Sequence, residues 1–191
     1  MALAYAGVTC ELREVVLRDK PPSMLHYSAK GEVPVLVVGE RVIDESRDVM
    51  AWALEQADPE RWLARHDPLH EQLVERADTE FKPLLDRYKY HERYPGSTQA
   101  EYRDQAAPFL AELASLLDHQ PYLAGTAFGL VDVALLPFVR QFANVDRLWF
   151  ETTQPSPLNR WLIEWLESDL FLGVMGKYPQ WQKGDQLTEF P

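Results

Sequence analysis

Glu32-Val33-Pro34-Val35-Leu36-Val37-Val38, followed by Gly39-Glu40 and then Arg41-Val42-Ile43-Asp44-Glu45-Ser46, is the stretch whose reading decides the fold. A proline stands at the head of an apolar, β-branched run. It has no N–H to give to a ladder, so it belongs at a strand start or on a sheet edge. Gly39-Glu40 makes a turn, Arg41 to Ile43 is a second short strand, and the carboxylate–hydroxyl pair Glu45-Ser46 opens a helix. That order suits a polar, peptide-like ligand. Val33 can offer main-chain N–H and C=O beside the proline, and Ser46 with nearby free N–H groups can hold a carboxylate. Taken alone, the same residues also make an ordinary hairpin followed by a capped helix.

Working outward, Ala2 to Ala6 resembles the last two turns of a helix with Gly7 as its C-terminal stop. Thr9 to Leu17 alternates enough to be a strand. Downstream, Ala57-Asp58-Pro59 and Asp67-Pro68 bracket a short aromatic segment, Glu60 to Arg65, which reads as linker because the residue before a proline is pushed out of helix. Beyond it everything is helical. Leu69, Leu73, Ala77, Phe81, Leu84, Leu85 and Tyr88 keep a helical period that Pro83 should kink. Thr98 with Glu101 is a capping-box signature. Phe128 to Phe138 is apolar on nearly every face, the mark of a helix at the centre of a bundle. Ser156-Pro157 and Ser168-Asp169 start two more helices. The expected organisation is an α/β domain over residues 1–56, a linker over 57–67 and an all-helical domain over 68–191.

Composition narrows the function classes. Of 191 residues 46 % are hydrophobic, six of them Trp, enough for a buried core. Nineteen basic against 30 acidic side chains give a net charge of −11, a field that repels phosphate backbones and anionic lipid, so nucleic acid and membrane are poor partners. No apolar run approaches a membrane span, and Met1 to Gly7 does not read as a secretory leader. A single cysteine, Cys10, excludes an internal disulfide framework and fits a reducing cytoplasm.

Residues 20–50 and 122–140 together resemble the glutathione transferase superfamily, and the likeness covers essentially the whole chain. Leu136-Pro137-Phe138 with Arg140 is similar to its omega-like and stringent-starvation-like branches. The resemblance implies a thioredoxin-like N-terminal domain, here without its first strand, packed on an all-α C-terminal domain. It implies glutathione as co-substrate, no metal, a homodimer, and glutathione-dependent conjugation or thiol transfer to a small electrophile. In that family a cis-proline after Val and an acidic–Ser pair hold the tripeptide, which maps the role onto Val33, Pro34, Glu45 and Ser46. Lys20 stands where omega-like relatives place a lysine on the glycine carboxylate, with Lys30 as its rival; a solvated loop lysine accounts for Lys20 equally well. The family's thiol-activating turn precedes its first helix and so would lie before Met1. The alternative is therefore a non-catalytic binding or regulatory protein of the same lineage.

Other residues invite roles. Phe81 and Tyr88 are candidates for a hydrophobic co-substrate wall, and equally for packing between helices. Cys10 has no basic neighbour except Arg13 and lacks the setting that makes a thiolate. Tyr5 lies at the wrong end of its helix to activate a thiol. Asp132 closes the family's capping box on the buried helix, which makes it a folding residue, although Gly129 stands where the capping hydroxyl would be. His66 and His70 are four apart, but Asp67-Pro68 breaks the helix that would align them on a metal.

Overall fold

The computed structural model describes residues 1–154 and 156–191, in two units: Met1–Glu60 with Asp169–Pro191, and Arg61–Ser168. The first helix, α1 (Ala2–Tyr5), is closed by Gly7 at φ +65°, a left-handed stop that glycine adopts without cost. Strand β1 is short, Cys10–Glu11 only. The alternation of Thr9 to Leu17 therefore overstates the strand. Its continuation turns away after isolated bonds to the C-terminal stretch, with a single bridge from Val16 to Asp19. Helix α2 (Pro22–Tyr27) starts with proline in its first turn, where the missing N–H costs nothing.

Strands β2 (Leu36–Val38) and β3 (Arg41–Ile43) form the expected hairpin, pairing Leu36 with Ile43, Val37 with Val42 and Val38 with Arg41. Gly39, at φ +59°, supplies the positive φ that the first central position of a two-residue hairpin turn demands. Helix α3 (Ser46–Gln56) follows and buries Val49, Ala53 and Leu54. Ala53 packs with Ala2 of α1 and with Ala6 just after it in a small core rimmed by Leu3, Val8, Met50 and Trp52. Tyr5 fastens the end of this unit: its hydroxyl donates to Asp58 at 3.0 Å and accepts the Glu60 N–H at 2.6 Å.

The second unit contains the large core. Helix α4 (Trp62–Arg65) falls in the expected linker, and the structure corrects that reading: Trp62 is buried to 1 % exposure, so the segment is a packed turn of helix. Helix α5 (Pro68–Arg76) is capped by Asp67, whose carboxylate accepts from the Leu69 and His70 N–H groups at 2.9 Å. One π-helical turn, Ala77–Phe81, leads into α6 (Lys82–Lys89). The interruption expected at Pro83 thus takes the form of a widened turn just before it, closed by the Lys82 N–H on the Ala77 carbonyl, with Pro83 placed in the first turn of α6. Helix α7 (Gln99–Leu117) has the expected capping box: Glu101 N–H to Thr98 Oγ1 at 3.2 Å, and Thr98 N–H to Glu101 Oε2 at 2.8 Å.

Helix α8 (Leu130–Ala143) is the buried centre, with Val131, Leu135, Leu136, Val139 and Phe142 at 0–1 % exposure. Asp132 is buried within it. Its Oδ1 accepts from the Leu123 N–H at 2.7 Å and the Trp161 indole at 2.8 Å. Its Oδ2 accepts from the Ala124 and Gly129 N–H groups, each at 3.1 Å. Burial pushes its pKa up, against the downward pull of these four donors. A side chain at Gly129 would place its Cβ 2.4 Å from that of Ala124, which is why glycine stands where a hydroxyl was expected. Helices α9 (Arg147–Thr153) and α10 (Ser156–Glu167) complete the unit; α10 buries Leu158, Trp161, Leu162 and Trp165.

The last stretch returns to the first unit. Helix α11 (Asp169–Val174) touches α1, and strand β4 (Glu189–Phe190) pairs antiparallel with β1, Cys10 against Phe190 and Glu11 against Glu189. The Leu12 N–H extends this ladder to the Thr188 carbonyl at 2.8 Å, and the Trp181 N–H reaches the Glu14 carbonyl at 2.8 Å. A helical domain running to residue 191 is therefore not what forms: its last 23 residues, Asp169–Pro191, join the α/β unit.

Candidate functional site

The residues nominated for the tripeptide, Lys20, Val33, Pro34, Glu45 and Ser46, all lie in the first unit, on the segment that enters β2 and at the start of α3. The N–H of Ser28 closes α2 on the Met24 carbonyl, and the N–H of Gly31 closes a tight turn on the Ser28 carbonyl at 3.1 Å. Gly31 sits at φ +64°, and the Lys20 side chain lies across it: a Cβ there would be 3.3 Å from Lys20 Nζ and 3.1 Å from a Leu25 methyl. The turn delivers the chain to Val33, which is 50 % exposed and joined to Pro34 by a cis peptide bond.

Opposite this turn stands the start of α3. Glu45 is the residue before the helix, in extended conformation, and its side chain makes no capping bond. Ser46 is the first helical residue and exposed. Neither side chain spends itself on the helix end, so the positive end of the α3 dipole is open to an anion beside a free hydroxyl. Asp48 in the same turn adds one negative charge.

Two side-chain links tie the turn to this helix start. Buried Ser28 donates its hydroxyl to Asp44 Oδ2 at 2.8 Å. Lys30 Nζ reaches Asp44 Oδ1 at 3.5 Å and Glu45 Oε1 at 2.5 Å. The Ser28 hydroxyl, followed by Lys30, holds the Asp44 carboxyl below its usual range, and Glu45 holds the Lys30 ammonium above its own. Lys20 forms no ion pair with a described residue; its neighbour Asp19 is held by the Gln180 amide instead. The two lysines are therefore in different conditions, one neutralised by two acids and one available to an anion. Ser28 and Asp44 were not nominated from sequence. Asp44 could have been, as the acid adjoining Glu45. A lone Ser in a loop carries no such signal.

Other nominations resolve differently. Phe81 and Tyr88 are 1 % and 2 % exposed, stacked in the second unit's core: Phe81 on Phe109 and Phe142 at 4.9 and 5.6 Å between ring centres, Tyr88 on Phe142 at 4.8 Å. Rings so enclosed offer no wall to a co-substrate, so the packing alternative holds for both. Cys10 is half-buried in β1 and burial pushes its thiol pKa up, opposite to what a thiolate needs. The Tyr5 hydroxyl is pushed up to about 12, chiefly by burial. His66 bonds Glu71 and His70 caps α5.

The glutathione S-transferase N-terminal domain matches residues 1–62, and the C-terminal domain of the same family matches residues 71–164. Glutathione S-transferase U19 of Arabidopsis thaliana is 31 % identical over 149 residues, 77 % of this chain and 68 % of that protein. Among solved structures, glutathione transferase F2 from Populus trichocarpa superposes with a TM-score of 0.71 at 21 % identity, covering 90 % of this chain and 87 % of the other. A glutathione S-transferase-I bound with lactoylglutathione gives 0.71 at 19 % identity, covering 90 % and 88 %. Two matched domains in the family's order and a relative of this identity over most of both chains place the protein in the glutathione S-transferase family.

Proposed function

We propose that this chain binds glutathione in the first unit and acts as a glutathione-dependent transferase on a small electrophile. The observation that carries the reading is exposed Val33 on the segment entering β2 and the uncapped α3 start at Glu45 and Ser46, tied to each other through the Lys30–Glu45 pair, with Lys20 across Gly31. Val33 supplies main-chain donors and acceptors to an extended peptide. Glu45 receives an ammonium, Ser46 and the α3 N–H groups receive the neighbouring carboxylate, and Lys20 receives the carboxylate at the other end. Those are the charges of a γ-glutamyl tripeptide in order. Calorimetric titration of glutathione into wild type and Ser46→Ala tests this. The expected result is micromolar-to-millimolar binding weakened in the variant, and equal affinities would remove the site.

A second reading, binding without turnover, is favoured by the state of Cys10 and Tyr5, whose pKa values are both raised. Assay of conjugation to a chlorinated nitroaromatic separates the two: binding with little turnover supports the second. A homodimer formed through helices around residues 69–90 is part of the proposal, supported by Leu69 and Tyr90, which stay 53 % and 37 % exposed there. A monomeric mass by light scattering at micromolar concentration would end it. The lone cysteine supports a reducing, cytoplasmic setting. Placement in the omega-like or stringent-starvation-like branch rests on Leu136-Pro137-Phe138 and Arg140, whereas the curated relatives matched are plant transferases.

A further inference from the structure

The Lys30 ammonium lies between two adjacent carboxylates, and those carboxylates are not equivalent. Both oxygens of Asp44 are engaged, Oδ2 by the Ser28 hydroxyl and Oδ1 by Lys30. Glu45 gives only Oε1 to Lys30; its Oε2 has no partner among the described residues. One oxygen of the pair is thus left to accept from a ligand cation, and it belongs to Glu45. The charge count agrees. Asp44 and Glu45 carry two negative charges and Lys30 one positive, which leaves one net negative charge to meet one ammonium.

The same lysine bears on geometry. It stands at the third position of the turn that Gly31 closes on Ser28, three residues ahead of Val33. Its bond to Glu45 therefore joins the segment that presents the Val33 backbone to the residue that opens α3. Lys30 and Glu45 are both about half exposed, with side chains at 50 % and 58 %, so the pair adds little to folding stability. Its effect falls on where the Glu45 carboxylate points.

We propose that Lys30 is a positioning residue: it holds the Glu45 carboxylate in place for the ammonium end of the ligand and makes no contact with the ligand itself. The proposal rests on the glutathione reading of this site.

The test is calorimetric titration of glutathione, and of γ-glutamylcysteine, which lacks the glycine end, into wild type, Lys30→Arg, Lys30→Gln, Glu45→Gln and the double variant. Loss of an exposed ion pair that orients the carboxylate predicts that Lys30→Gln weakens both ligands about two- to fivefold. Lys30→Arg should recover most of the affinity. The double variant should bind no more weakly than Glu45→Gln alone, and the unfolding temperature of Lys30→Gln should stay within a few degrees of wild type. Weakening confined to glutathione would overturn the proposal, because Lys30 would then meet the glycine carboxylate directly. Unchanged affinity in Lys30→Gln would overturn it as well. Wild type that binds neither ligand would instead overturn the glutathione reading, and the proposal with it.

Discussion

Replacing Asp132 with Asn changes one oxygen to an NH2 group and almost nothing in volume, so its cost can be worked from the four hydrogen bonds the carboxylate accepts. An amide keeps one acceptor. If it replaces Oδ1, it still serves Leu123 N–H and the Trp161 indole, now 2.7 and 2.8 Å away, and turns its own NH2 toward the Ala124 and Gly129 N–H groups. The reverse orientation abandons the other pair. Either way two donors lose their acceptor, each at about 1–3 kcal/mol, for a total of about 2–6 kcal/mol. That is a large share of the roughly 5–15 kcal/mol that holds a domain folded. Urea unfolding of the full chain followed by tryptophan fluorescence measures it, with Trp161 and Trp165 as reporters inside this core. Hydrogen exchange adds location: the Leu123 and Ala124 amides should lose protection in the variant before those of α7 do. A loss below about 1 kcal/mol at unchanged urea dependence would refute the view that this carboxylate staples the 122–126 loop to the start of α8.

Three further outcomes follow from particular contacts. Gly129→Ser, although it restores a favoured cap residue, should destabilise by about 1–3 kcal/mol because its Cβ would stand 2.4 Å from Ala124 Cβ, and Ala124→Gly in the same chain should recover part of that in the same urea assay. Glu101, held by Ser97 and Thr98, has its pKa lowered to about 2. A lowered folded value means stability present above the unfolded value of 4.5 and lost as pH falls toward 2, so Glu101→Gln should flatten the acid limb of thermal stability in that window alone. Removing Thr188–Pro191 takes away the acceptor 2.8 Å from the Leu12 N–H, and amide exchange at Leu12 should accelerate while the Ile43 amide, facing Leu36 in the other ladder, keeps its rate.

What the sequence made legible is local. The Gly39 turn, the start of α3, the Thr98–Glu101 box and the apolar run of α8 each depend on residues within a few positions of one another, and each forms where periodicity and capping chemistry put it. What it hid is long-range. Nothing local in Glu189-Phe190 says that it will lie against Cys10-Glu11. The π turn ahead of Pro83 is a way of fitting a proline into a helix that packing would otherwise keep continuous, and the sequence shows the proline without the solution. In the site, Val33, Glu45 and Ser46 came from the order of this segment together with the family resemblance it carries, but the links through Ser28 and Lys30 depend on two loops meeting in space. The aromatic period around Phe81 and Tyr88 could not tell which side of the helix would be enclosed, since a ligand wall and a core use the same residue types.

The two ladders of the first unit decide how firmly Val33 is held. Among the described residues β1 pairs only with β4, and β2 only with β3. In the two-residue hairpin, Val38 and Arg41 form the hydrogen-bonded pair beside the turn, so the N–H and C=O of Val37 point to the outer edge of β2, where no strand of the described residues lies. A two-stranded hairpin is marginal by itself. Its retention must come from Ile43, buried to 4 %, from α3 behind it, and from the Ser28–Asp44 link ahead of it. The second unit instead closes around fully buried Leu110, Leu135, Phe150 and Trp161. Local stability should follow that contrast. Amides of α8 should exchange only through global opening of their unit, and those of β2 through a smaller, local one. Ser28→Ala should lower protection at Leu36 and Val38, whose amides face β3, and leave α8 unchanged. If β2 amides are as protected as those of α8 and insensitive to Ser28→Ala, the hairpin is held by something other than this link, and the placing of Val33 does not depend on it.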